Sequence, residues 1–166
     1  FDSNSKINVN SNIKFSASGD REINMNGILD GLGQIQIGTS SKIIFGASSD
    51  NESFIGGIKM LGNNSQLIVN TDSSATFLKS GVEVMLESSS NGHSVTLNSE
   101  NVFYGDLTIL DNTFDLNVNA NQSDMGIITM GSGTLNLILN DSISALAFAN
   151  NSSADWGTGT LSINGL

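Results

Sequence analysis

The acidic side chains are the first place to look for chemistry. They come in short-range pairs: Asp50/Glu52, Glu83/Glu87 and Asp111/Asp115. Cleaving a glycosidic bond takes two carboxyl groups about 5–10 Å apart, one giving a proton and one attacking or activating water. Elimination on an acidic sugar takes carboxylates beside an Arg or Lys base. Here the acids are spread over separate loops and Arg21 is the sole arginine. They can meet only if coil stacking brings distant turns together. His93 is the single histidine, in Asn91-Gly92-His93, where a turn is expected. A Ser-His-Asp relay or a histidine-rich metal centre needs converging partners that the surrounding text does not supply. There is no G-x-S-x-G elbow, and Gly31-Leu32-Gly33 opens no helix that could cradle a phosphate. No catalytic residue is assigned, and the chain is read as a non-enzyme.

Calcium is the one cofactor the sequence admits. Asp50, Glu52 and Asp111, beside Asn51 and Asn112, offer hard oxygen ligands in turns. Neither turn matches an EF-hand loop or a G-G-x-G-x-D repeat. Trp156 and Tyr104 are the candidate platforms for a glycan. Trp156 also reads as a cap over the open end of a last coil. Ice binding needs a flat, regular face of threonines, typically T-x-T ranks, and the threonines are not expected to fall in rows.

Composition narrows the partners. The net charge is −10, with 6 Lys and Arg against 16 Asp and Glu, so nucleic acid is not an expected partner. There are no cysteines, which removes disulfides, thiolate zinc sites and a cysteine nucleophile. There are no prolines either. Proline lacks the ladder donor, so its absence fits a chain that is mostly paired strand. Charged residues make up only 13%, which leaves solubility to Asn, Ser, Thr and Asp. No apolar run approaches the ~20 residues that span a bilayer as a helix. The chain starts at Phe1, and it is expected to be a fragment or the mature part of a longer exported chain.

The elements that must position these groups are strands. Apolar residues alternate with polar ones in Ile13/Phe15, Ile35/Ile37, Ile43/Phe45, Leu67/Val69, Val95/Leu97, Leu116/Val118, Leu135/Leu137 and Leu161/Ile163. Turn formers such as Gly62-Asn63-Asn64 and Gly131-Ser132-Gly133 separate them. Ile13-Lys14-Phe15-Ser16-Ala17-Ser18 returns as Ile43-Ile44-Phe45-Gly46-Ala47-Ser48, and a related phrase leads into Phe77. A returning apolar phrase marks one unit stacked on itself. The fold class expected is all-β, a right-handed parallel β-helix (β-solenoid) over residues 1–166. About five to six coils, each of roughly 20–32 residues in three short strands, would give a rod about 25–30 Å long. Phe15, Phe45, Phe77, Phe103 and Phe148 are the expected core stack. Asparagines at strand ends, among them Asn70, Asn98, Asn119 and Asn140, serve as turn formers and can also stack into amide ladders. The alternative is an antiparallel β-sandwich, which also shows many short strands and frequent turns.

Two phrases near the C-terminal end, Gly131-Ser132-Gly133-Thr134-Leu135-Asn136-Leu137 and Gly157-Thr158-Gly159-Thr160-Leu161-Ser162-Ile163, resemble the G-x-G-T-L-x-L wording of autotransporter-associated β-strand repeats. The block from Leu146 to Leu166 is similar to a segment found near the end of β-helices in exported bacterial proteins with PEP-CTERM-type sorting signals. No membrane barrel or sorting tail accompanies these phrases. The resemblance implies an exported bacterial β-helix of the passenger type, a class that serves mainly as stalk, adhesin or scaffold.

The expected function is therefore an extracellular, cell-surface structural or adhesive element. Its expected partners are further copies of itself, joined end to end or side by side into fibres, or other surface components. The alternative is a glycan-binding or glycan-cleaving β-helix.

Overall fold

The computed structural model describes residues 2, 5–16, 21–46, 53–72, 77–79, 82–86, 91–149 and 157–165. Among these residues there is no helix. The first coil carries β1 (Lys6–Asn8), β2 (Ile13–Phe15) and β3 (Arg21–Met25). The second carries β4 (Ile28–Asp30), β5 (Ile35–Ile37) and β6 (Ser41–Phe45). The third and fourth contribute β7 (Ile58–Met60), β8 (Gln66–Val69), β9 (Glu83–Leu86) and β10 (His93–Leu97). The fifth and sixth contribute β11 (Asp106–Ile109), β12 (Thr113–Val118), β13 (Gln122–Met125), β14 (Ile128–Met130) and β15 (Thr134–Leu139). β16 (Leu146–Phe148) and β17 (Thr160–Asn164) follow.

Every ladder is parallel, and strands pair coil to coil rather than with their chain neighbours. One sheet has seven strands in the order β17-β15-β12-β10-β8-β6-β3, and a second has six in the order β14-β11-β9-β7-β5-β2. Among the described residues the third side is thinner. It is built from the pairs β1-β4 and β13-β16 with isolated bridges Gly31↔Phe54 and Leu78↔Phe103 between them. This is a parallel β-solenoid of about six turns. The antiparallel sandwich is excluded by the parallel ladders.

The alternation dictates the packing. Inward residues of the two large sheets, such as Ile35, Ile58, Ile43 and Leu67, are fully buried, and one core runs through all coils. A single coil cannot bury its apolar side, so each coil is stabilised by its neighbours. Phe45 and Phe77 meet at 4.6 Å between ring centroids, and Phe77 and Phe103 at 6.2 Å. Phe15 and Phe148 are partly buried against the same core.

The repeat seen in the sequence needs one correction. Phe15 and Phe45 are not equivalent. Phe15 pairs with Ile37 in the six-stranded sheet, while Phe45 pairs with Met25 and Val69 in the seven-stranded one. True coil lengths run from 20 residues, between Ile23 and Ile43, to 28, between Leu67 and Val95. Both sheets carry the same apolar alternation, so text matching joined a strand of one to a strand of the other.

The corners rely on left-handed backbone. Ser40 and Asn64 have φ of 52° and 56°, and Gly92 has 74°. These three hold the same place on successive rungs, one step before Ser41, Ser65 and His93. Gly31, at φ 112°, is also the site where an added Cβ would lie 2.4 Å from the Val9 carbonyl oxygen.

Candidate functional site

Asn70, Asn98 and Asn119 form a side-chain ladder at one corner. Asn98 Nδ2 donates to Asn70 Oδ1 at 2.6 Å, and Asn119 Nδ2 donates to Asn98 Oδ1 at 2.7 Å. Each residue follows the last residue of its strand, so the backbone register places the carboxamides one above another. Asn140 extends the column but turns to accept from the Ser142 backbone N–H and hydroxyl. Other asparagines cap turns of the next coil: Asn63 Oδ1 accepts from the Asn91 N–H, and Asn121 Oδ1 from Ser144 and Ala145. The chain thus uses asparagine both for turns and for stacking.

His93 is not a turn residue. It opens β10, points inward and is 2% exposed. Its Nδ1 lies 2.6 Å from Ser65 Oγ, itself fully buried. Ser41, on the rung below, is buried too and donates to the Thr39 carbonyl. Gly92 still makes the turn, but the next residue has already entered the strand, which is why the Asn-Gly signal misplaced the histidine. A hydroxyl and an imidazole in contact resemble two parts of a nucleophilic relay. Both are sealed in the core, so no substrate carbonyl can reach them. Their role is packing with an internal hydrogen bond.

The acids sort differently from their spacing in the sequence. Stacking makes Glu83 and Asp106 register partners on β9 and β11, a pairing across 23 residues that no local pattern reveals. Both carboxylates are engaged: Glu83 Oε1 accepts from the Thr108 hydroxyl, and Asp106 Oδ1 accepts from the Ile127 N–H at 2.8 Å. Asp111 accepts from Asn112 Nδ2 at 2.9 Å, and Asp115 from Asn136 Nδ2 at 2.9 Å. Among the described residues no three Asp, Glu or His side chains gather to hold a metal ion. Asp50, Glu52, Glu87 and Trp156 lie outside the described residues. Tyr104 is half-buried beside the Leu78↔Phe103 bridge, its N–H donating to the Leu78 carbonyl at 2.8 Å.

Depressions are present among the described residues. One of about 290 Å³ is lined by Ser40, Ser41, Lys42, Asn64 and Gln66. Lys42 there is paired with Glu22 at 2.6 Å. The other, of about 320 Å³, is lined by Leu139, Asn140, Asp141, Ile143 and Gly165. Neither holds Tyr104 or a pair of carboxylates.

The outer face of the seven-stranded sheet carries residues in straight columns. Thr113, Thr134 and Thr160 are direct register partners and form one column. Ser94, Asp115, Asn136 and Ser162 form the next. Thr96, Asn117, Ile138 and Asn164 form a third. The threonines are spaced irregularly in sequence because the coil lengths differ, yet three of them share a row in the fold.

Comparison with protein-family profiles, curated proteins and solved structures found no match.

Proposed function

We propose that the chain is a non-enzymatic, extracellular structural or adhesive element of a bacterial surface, a stiff rod that presents polar faces and turns to its surroundings. The observation that carries this reading is the pair of long parallel ladders wrapped around one continuous apolar core. Such a body resists bending, because every coil is hydrogen-bonded to the next along its strands. The acidic, lightly charged composition and the resemblance to autotransporter-associated repeats and PEP-CTERM-type exported proteins point the same way. Self-association is part of the proposal. Paired strand edges and covered apolar atoms would favour stacking of copies end to end. Negative-stain electron microscopy tests this: rods or fibres that lengthen with concentration are expected, and uniformly monomeric particles at high concentration contradict it.

The glycan-cleaving alternative has one observation in its favour, the stacked Glu83 and Asp106 carboxylates. Release of reducing sugar from acidic or neutral polysaccharides, abolished by Glu83→Gln, would replace the scaffold reading.

A further inference from the structure

We propose that the Asn91-Gly92 corner ahead of β10 is a site of self-modification, where Asn91 cyclises onto the Gly92 nitrogen and reopens as isoaspartate or aspartate. The reaction needs a carboxamide free to swing, a following backbone nitrogen free of hydrogen bonds, and a following residue with no side chain to block the approach. Water must also reach the ring. Asn91 and Gly92 are both exposed. Among the described residues neither the Asn91 carboxamide nor the Gly92 N–H has a hydrogen-bond partner. Gly92 carries no Cβ and sits at φ 74°, so nothing on its own side shields its nitrogen. The rest of the corner is fixed. The Asn91 N–H donates to Asn63 Oδ1 and the Asn91 carbonyl accepts from the Asn64 N–H, each at 2.8 Å.

The chemistry balances without a cofactor. The Gly92 nitrogen attacks Asn91 Cγ and closes a succinimide ring. The carboxamide C–N bond breaks, and its nitrogen leaves as ammonia with the proton that Gly92 gives up. Water, the only co-reactant, then adds to either ring carbonyl. Addition at Cγ leaves aspartate. Addition at the main-chain carbonyl leaves isoaspartate, with the chain now running through the side-chain methylene. The sequence holds two other Asn-Gly pairs, at Asn26 and Asn164, and the fold protects both. The Asn26 carboxamide packs against Gly46 on the next rung, and Gly27 is buried beneath the Ser5 carbonyl. Asn164 is held in the β17 ladder opposite Ile138, and its Nδ2 donates to Ser162 Oγ at 3.4 Å. Isoaspartate at 91 acts on the core. It adds one carbon to the main chain between the anchor on Asn63 Oδ1 and His93, whose Nδ1 meets Ser65 Oγ at 2.6 Å. The next N–H, of Ser94, donates to the Ser65 carbonyl at 3.1 Å. The added length strains that register, and losing a buried hydrogen bond destabilises the fold.

The test is incubation of the folded chain in mildly alkaline heavy-oxygen water, then digestion and mass spectrometry, with a protein isoaspartate methyltransferase as the probe for the isomer. Comparing the three Asn-Gly pairs within the wild-type chain needs no variant. Asn91→Gln keeps an amide and the main-chain bonds but closes its ring far more slowly. Asn91→Asp carries the new charge without the extra carbon. Label and isoaspartate are expected at residue 91 several-fold faster than at Asn26 or Asn164. The melting temperature of the wild type, read by circular dichroism, is expected to fall as the isomer accumulates. Incubated Asn91→Gln keeps its melting temperature, and fresh Asn91→Asp melts like fresh wild type. Conversion at residue 91 no faster than at the other two pairs overturns the proposal. So does isoaspartate at 91 with an unchanged melting temperature, or an equal fall in incubated Asn91→Gln, which would place the damage elsewhere.

Discussion

Ser65 Oγ and His93 Nδ1 sit 2.6 Å apart inside the solenoid, joined across 28 residues of chain. They occupy an interior column that continues as Phe114 and Leu135 on the following rungs. The column changes from polar to apolar along the axis, and Ser65 and His93 satisfy one another. Ser65→Ala removes a buried partner and is expected to cost about 1–3 kcal/mol. Adding His93→Phe extends the apolar column and should recover most of that loss, since replacing both partners can be nearly neutral. Urea unfolding of the single and double variants measures the coupling. Additive losses would contradict a buried hydrogen-bonded pair.

Phe45→Ala empties the space that packs against Phe77 at 4.6 Å. Truncating a buried phenylalanine costs about 3–5 kcal/mol. Chemical denaturation is expected to show a loss of that size. A change below about 1 kcal/mol would mean the ring is not in the core.

Gly31→Ala tests the corner. Its φ of 112° lies where side chains are strained, and the new methyl would meet the Val9 carbonyl at 2.4 Å. Destabilisation above about 1 kcal/mol is expected from thermal melts. A neutral result would show that this corner has another conformation.

Asn98 both donates to Asn70 and accepts from Asn119. Asn98→Ala interrupts the ladder at its middle, and the loss expected at this exposed site is about 1 kcal/mol. Hydrogen exchange of the flanking amides should speed up on both neighbouring rungs. Faster exchange on one side only would contradict a shared ladder.

Lys6 Nζ lies 2.8 Å from Asp30 Oδ2. That hydrogen bond holds the Asp30 carboxyl below its ordinary value of 3.8, against an opposing effect of desolvation, with the Lys6 charge and the Gly31 N–H acting in the same sense as the bond. A lowered carboxyl pKa stabilises the fold above the ordinary value, and the contribution fades as pH falls through the lowered one. Lys6→Met is expected to move the Asp30 titration upward, as read by NMR, with little change in stability because the pair is on the surface. An unmoved titration would contradict the contact.

The alternation of apolar residues was legible, and with it the strands at Ile35/Ile37, Leu116/Val118 and Leu135/Leu137. So was stacking in coils, although among the described residues the third, fourth and fifth coils show two strands each, with isolated bridges at Phe54, Leu78 and Phe103 on the third side. Register was not. Coils of 20 to 28 residues slide against one another in any text comparison, so Phe15 looked like a copy of Phe45. The same variation hid the Thr113–Thr134–Thr160 column and the Glu83–Asp106 pair, whose members meet only across coils. His93 was lost to a local rule, because its Asn-Gly neighbours signal a turn that ends one residue earlier.

Pulsed electron paramagnetic resonance on spin-labelled pairs tests the stacked-coil architecture most directly. Lys42 on β6 shares an outer column with Asp115, Asn136 and Ser162, which lie three, four and five strands away. Labels placed at Lys42 and at each of these in turn are expected to separate by about 14, 19 and 24 Å, growing by one strand spacing per step. Distances that fail to grow evenly along the series would contradict the parallel solenoid and every surface argued from it.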